Sequence, residues 1–325
     1  MPVPTRRLPL VCLLITLFLG FSGSVTAQRN PTMPSQFDDS SKEALYSDFL
    51  ANKKVPNAEK QRLAYEAAKE YVRRFSADRD SNLVETRRFV LEYERVKRHY
   101  ELYTVFSAKN YSKTFEIGRE ILAKDSDDFY TLGLLSMAGS SSAGGGDASL
   151  NEETVRYSKK ALELLDSPDV KKPDPFPSME EARDSLNSTV GWLLKDQAPV
   201  EAAAALVRAI KVNGSSSKNP RILYFLATSI LKGEYAQLSA EYNTKFGNKP
   251  PSPEQQAMLE RLMKVGDRAV DAYARAVALS SGPKDEENRR KLMTQLTSLY
   301  KNFHNGSDAG LDALVSSVLT KPLPE

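Results

Sequence analysis

Cysteine is nearly missing from this chain. The single one, Cys12, sits in the apolar N-terminal stretch, so the remainder has no disulfide, no thiol nucleophile and no sulfur ligand for a metal. Histidine is almost as scarce. His99 and His304 are the only two, and neither has ligand-type spacing such as His-Glu-x-x-His around it, so neither a metal nor a cofactor is expected. A phosphate loop is missing as well, because Gly144-Gly-Gly146 is not followed by Gly-Lys-Ser/Thr, and there is no Gly-x-Ser-x-Gly elbow. An excess of one charge is also lacking: 45 Lys and Arg face 42 Asp and Glu, and loss of Arg6 and Arg7 with a leader would make the balance closer still. Nothing in that balance favours a polyanion, and no nucleic-acid partner is expected. Beyond residue 21 no run is apolar enough to span a bilayer.

What is present begins with a secretory pattern. Arg6 and Arg7 form a basic start, residues 8–21 an apolar core, and Val25-Thr-Ala27 a small-residue cleavage site, so residues 1–27 read as a signal peptide cut after Ala27. The expected location is periplasmic or secreted, with no membrane span once the signal is gone. Residues 28–41 are polar, carry Pro31 and Pro34, and read as a flexible leader.

From Lys42 onward Glu, Lys, Arg, Ala and Leu dominate, and apolar residues recur at three and four, which predicts an all-α chain. Residues 43–50 and 59–75 form a first helix pair broken at Val55-Pro56-Asn57. A long helix over 82–109 carries the aromatic stripe Phe89, Tyr93, Tyr100, Tyr103 and Phe106, read as core. On the same helix Arg87, Arg88, Arg95 and Arg98 interleave with Glu85, Glu92 and Glu94, the pattern of an ion-paired solvated face. Asp127-Asp128, Glu152-Glu153, Glu180-Glu181 and Glu286-Glu287 fall near predicted helix starts, where negative charge complements the helix dipole. Residues 139–146 and 166–177 read as loops, the latter proline-rich and a possible sub-boundary. Residues 222–231 and 234–245 read as a helix pair before a long helix over 254–280. Residues 286–303 and 307–319 close the array with Ser307 or Asp308 as cap, leaving 321–325 as a tail.

Small and bulky residues share helical faces at Ala202, Leu206 and Ala209 and again at Ala269, Tyr273 and Ala276. The run from Lys109-Asn-Tyr111 through Ile121-Leu-Ala-Lys-Asp125 leads into Phe129-Tyr-Thr-Leu132-Gly133. Together these resemble the tetratricopeptide-repeat family, in which an aromatic followed by Leu-Gly marks the first helix of each pair and small residues about an aromatic mark the second. The anchor positions Ile121, Ala161, Ala209 and Ala276 are unequally spaced, with insertions at 139–146, 166–177 and 246–253 between them.

The resemblance implies a right-handed α-solenoid of antiparallel helix pairs over 42–320. It also implies a non-catalytic scaffold that binds a protein or peptide in a groove lined by first helices. Phe129, Leu132, Gly133, Ala161, Ala202, Leu206, Ala209, Ala269, Tyr273 and Ala276 would pack repeats together, while Tyr130, Asn187, Trp192 and Tyr224 are the candidate groove contacts. Two other readings stay open: a helical envelope hydrolase built on a carboxylate pair, and a membrane-surface assembly factor held by an uncleaved signal.

Overall fold

Serine, asparagine and aspartate start most of these helices. A computed structural model describes residues 41–324 except Asp169, Asn248, Ser281, Pro283 and Lys284; the expected signal peptide, 1–27, and residues 28–40 of the expected leader lie outside the described residues. The described chain is all-α, with no strand among those residues. It divides into two compact units, Met1–Thr104 and Val105–Glu325.

The first unit is built on α1 (Lys42–Asn52), α2 (Ala58–Arg74) and most of α3 (Ser81–Ser107). Ser41 accepts the amide of Ala44 and Asn57 that of Lys60, so each of the first two helices opens on a side-chain cap. Leu45 and Phe49 meet Ala64, Ala67, Ala68 and Tyr71, with Leu83 closing the core. Charge fastens the rim: Lys42 pairs with Asp78 and, at 2.7 Å, with Asp80, while Glu85 accepts from Lys53 and, at 2.7 Å, from the Tyr46 hydroxyl. The bond to Glu85 favours the neutral phenol and pushes Tyr46 up to about 12. Only the start of the aromatic stripe on α3 reaches this core. Phe89 meets Phe49 edge-on at 5.1 Å and Tyr93 stacks on Tyr65 at 4.4 Å, whereas Tyr103 is 39% exposed.

The second unit runs through α4 (Tyr111–Leu122), α5 (Phe129–Gly144), α6 (Asn151–Leu165), α7 (Met179–Leu194) and α8 (Pro199–Lys211). It continues with α9 (Pro220–Ile230), a π-helical turn (Leu231–Tyr235), α10 (Ala236–Phe246), α11 (Pro253–Leu279), α12 (Glu286–Phe303) and α13 (Leu311–Ser317). Asn110, Asp128, Ser178, Asn219 and Ser252 cap their helices by accepting backbone amides. Successive helices from α4 to α9 pack on one another, and α5 also touches α7, as α7 touches α9. All ten residues assigned to repeat packing are buried, Ala161 in a cluster with Phe129 and Leu132, and Leu206, Ala269, Tyr273 and Ala276 in the cluster that α9 links. Gly133 lies under Pro175 and Phe176.

Several segments differ from their sequence reading. Residues 139–144, expected as a loop, continue α5, because Gly139 is a contact surface: a Cβ there would lie 1.7 Å from Oγ1 of Thr154 on α6. Ser136 and Ser158 hydrogen-bond across the same seam at 2.6 Å. A run of glycine and serine in this setting is a close helix crossing and not a linker.

The expected helix pair over 222–245 is instead one continuous helical rod with a π turn in its middle. Gly233, the only breaker there, tucks against Pro199 and Val200 at the start of α8, where a Cβ would come within 2.9 Å of the Val200 nitrogen. The proline-rich segment 166–178 belongs to the second unit, and Phe176 sits in its core against Phe129. Near the end, residues 307–310 stay in a turn, with the Tyr300 hydroxyl on the Ala309 carbonyl at 3.0 Å, so the last helix starts at Leu311. His304 stacks on Tyr300 at 3.7 Å and its Nδ1 meets the Tyr300 carbonyl at 2.9 Å, closing α12. The tail is anchored: Arg275, 9% exposed, donates to the carbonyls of Lys321 (2.9 Å) and Pro322 (2.7 Å), and Leu323 joins the core.

The crossing at Gly139 yields a paired test by chemical denaturation. Gly139→Ala should cost about 1–3 kcal/mol through overpacking against Thr154. Gly144→Ala, on the same helix with only Trp192 at 3.8 Å, should be neutral or gain about 0.4–1 kcal/mol from a stiffer unfolded chain. Equal losses at both positions would show that the serine and glycine run is not packed as described.

Candidate binding surface

The charged and aromatic side chains of α7 and α9 meet because a buried acid sets the spacing between these helices. Asp184 of α7 is 2% exposed and accepts the Ser215 hydroxyl at 3.0 Å and the Ser216 amide at 3.1 Å. Ser188, one turn on, shares a 2.5 Å bond with Ser216. The loop 213–218 is thereby pinned to α7, and Asn219, which follows it directly, caps α9. A buried carboxylate with several donors is stable where an unpaired one would cost several kcal/mol.

With the start of α9 fixed, Arg221 lies over two aromatic rings. Its guanidinium carbon is 5.4 Å from the ring of Trp192 on α7 and 5.3 Å from that of Phe225 one turn further along α9. These are cation–π distances. The Arg221 guanidinium engages no carboxylate among the described residues. Trp192 is half-buried and its far edge approaches Gly144 at the end of α5, so one indole spans the ends of three alternate helices.

Lys195 extends the cluster, with its ammonium 5.7 Å from the Phe225 ring and 2.7 Å from Asp196. Lys232, in the π turn, reaches Asp196 from the other side at 2.6 Å. Two ammonium donors favour the ionised carboxylate, holding Asp196 down at about 2, and Lys232 is raised in return by the same bond. Tyr224 is half-buried between Phe225, at 5.8 Å, and Tyr273, at 5.7 Å edge-on; burial pushes the Tyr273 phenol up to about 12.

Of the four candidate groove contacts, Trp192 and Tyr224 fall on this surface. Tyr130 is half-buried on α5, outside the Arg221 cluster. Asn187 is a correction: it is 4% exposed, its amide donates to the Arg183 carbonyl at 2.9 Å, and its oxygen accepts from Arg208 of α8 at 3.0 Å. It fastens α7 to α8 and faces no groove. Sequence reading missed Arg221, Phe225, Lys195, Asp196 and Lys232. The spacing of Arg221 and Phe225, one helical turn, was visible; the approach of Arg221 to Trp192, 29 positions away in the chain, was not.

No family model, no curated protein and no solved structure matches this chain. Among the described residues no group of three or more His, Cys, Asp or Glu is placed to hold a metal ion, and no helix is long and apolar enough to cross a membrane.

The doubly held Asp196 gives a pH test with a fixed sign. An acid whose folded pKa is depressed contributes stability that is present above its unfolded value of about 3.9 and is lost as pH falls through the folded value. The Asp196 carboxyl carbon shift in NMR should therefore titrate near about 2, and Lys232→Met should move that midpoint upward. A midpoint near 4 in the unmutated chain, on the order of the free value, would mean that the two lysines do not hold it.

Proposed function

We propose that this chain is an exported, non-catalytic scaffold that binds a protein or peptide partner across the face shared by α5, α7 and α9. The observation that carries the reading is the placement of Trp192, which approaches Gly144 of α5 and lies under the Arg221 guanidinium of α9 while remaining half open to solvent. Alternate helices that touch each other in addition to their neighbours support a right-handed solenoid of antiparallel pairs resembling tetratricopeptide repeats. In that arrangement the first helices, α5, α7 and α9, line the inner face. Aromatic rings and a braced arginine are the residue types that dominate protein interfaces, and their fixed rotamers keep the ordering cost of binding low. Export, to the periplasm or beyond, rests on the leader pattern of residues 1–27. No cofactor is part of this reading.

Photocrosslinking addresses it directly. Benzoylphenylalanine at Tyr224 or Tyr130, in the full chain exposed to envelope extract, should give a discrete adduct. The same group at Val84, an exposed position on α3, should give none. Adducts of equal yield at Val84, or turnover of an envelope polymer by the purified chain, would overturn the scaffold reading.

A further inference from the structure

The cluster on α7 and α9 is unbalanced in charge, and the imbalance has a particular shape. Lys195 and Lys232 both hold one acid, Asp196. The remaining positive group is Arg221. Its guanidinium lies over the Trp192 and Phe225 rings, and its five N–H donors have no carboxylate partner among the described residues. We propose that this surface selects an acidic protein segment, with a carboxylate side chain seated bidentately on Arg221 and apolar neighbours lying against Trp192 and Tyr224. The inference rests on the scaffold reading and adds the chemistry of the partner.

Several features favour a carboxylate on a peptide over other anions. A guanidinium fork matches the two oxygens of a carboxylate, and stacking removes the rotamer freedom that an exposed arginine would otherwise lose on binding. A nucleic acid would need a row of free cations along the phosphates, whereas the two lysines here are occupied by Asp196. The flanking surface is apolar: Tyr224, Leu231 and Tyr235 are half-buried along α9 and the π turn, with Tyr235 set edge-on against Phe303 at 5.4 Å. A segment that alternates acidic with aliphatic or aromatic residues satisfies both halves of this surface.

Trp192 is the chain's one tryptophan, so its emission reports on this surface alone. The full chain would be titrated with a capped peptide Leu-Glu-Glu-Phe-Leu, with its Gln-Gln twin, with inorganic phosphate and with an oligothymidylate. The acidic peptide should change Trp192 emission saturably. Arg221→Gln should weaken that response about 10- to 100-fold, as expected for loss of a charged bidentate contact. Arg221→Lys should fall between, and Lys264→Gln, which removes an exposed cation from α11, should leave it unchanged. Arg221 is exposed, so unchanged thermal midpoints verify that the variants fold.

Equal binding of the Gln-Gln twin, or an unaffected Arg221→Gln variant, would overturn the carboxylate inference. Phosphate or oligothymidylate binding as well as the acidic peptide would overturn it in favour of a general anion site. If the peptide fails while crosslinks at Tyr224 persist, the charge inference falls alone and the scaffold reading stands.

Discussion

How closely two helices can approach fixes everything else in the second unit. Side chains at a helix crossing hold the axes about 8–10 Å apart, and glycine or alanine at the contact brings them to the short end of that range. Gly139 against Thr154, Gly191 against Leu206 and the Ala202 carbonyl, and Gly233 against Pro199 and Val200 are three such contacts on consecutive layers. Each leaves the bulky partner to fill the space that a Cβ would have taken. The polar seams follow from the same closeness, since Ser136 and Ser158 can share a 2.6 Å bond only where the backbones come together. A chain without disulfides is held by such packing, and the C-terminal part of the second unit shares one cluster of buried residues from Leu206 to Val318.

That closeness also explains which parts of the fold were legible in the sequence. Helix identity was legible because apolar spacing is a local signal, whereas the cap of the last helix, expected at Ser307 or Asp308, was not, that helix opening on Gly310. Residues 139–144 misled because glycine and serine signal a loop whenever the partner helix is unseen; only the presence of Thr154 converts Gly139 from a breaker into a contact. The π turn was hidden for the same reason. Gly233 suggested a break between helices, yet the start of α8 occupies the space that a side chain would need, and the helix continues around it.

The candidate surface was legible in part, and the error has a simple geometry. Each residue advances about 100° around a helix, so one position separates a groove from an interface. Ser188, Trp192 and Lys195 lie toward α9, while Asn187 and Gly191 lie toward α8. Choosing Asn187 beside Trp192 as a second contact crossed that divide. Arg221 escaped attention because nothing local distinguishes an arginine with a free fork from one paired across the surface.

The electrostatics of the surface then follow from burial. Asp184 lies inside the helix layer, so it is satisfied by serine hydroxyls and a backbone amide and acts as a fixed spacer. Asp196 lies at the rim, where an ion pair contributes little to stability because water screens it and two long side chains must be ordered. Its consequence is geometric: by occupying Lys195 and Lys232 it leaves Arg221 as the cation with unused directional donors. A surface with three mobile cations would attract any anion. In the proposed complex, one guanidinium beside two occupied lysines would concentrate attraction where the hydrogen-bond geometry is fixed. Selectivity there would depend on Asp196, which occupies the lysines, and on the buried Asp184, which pins the loop before α9.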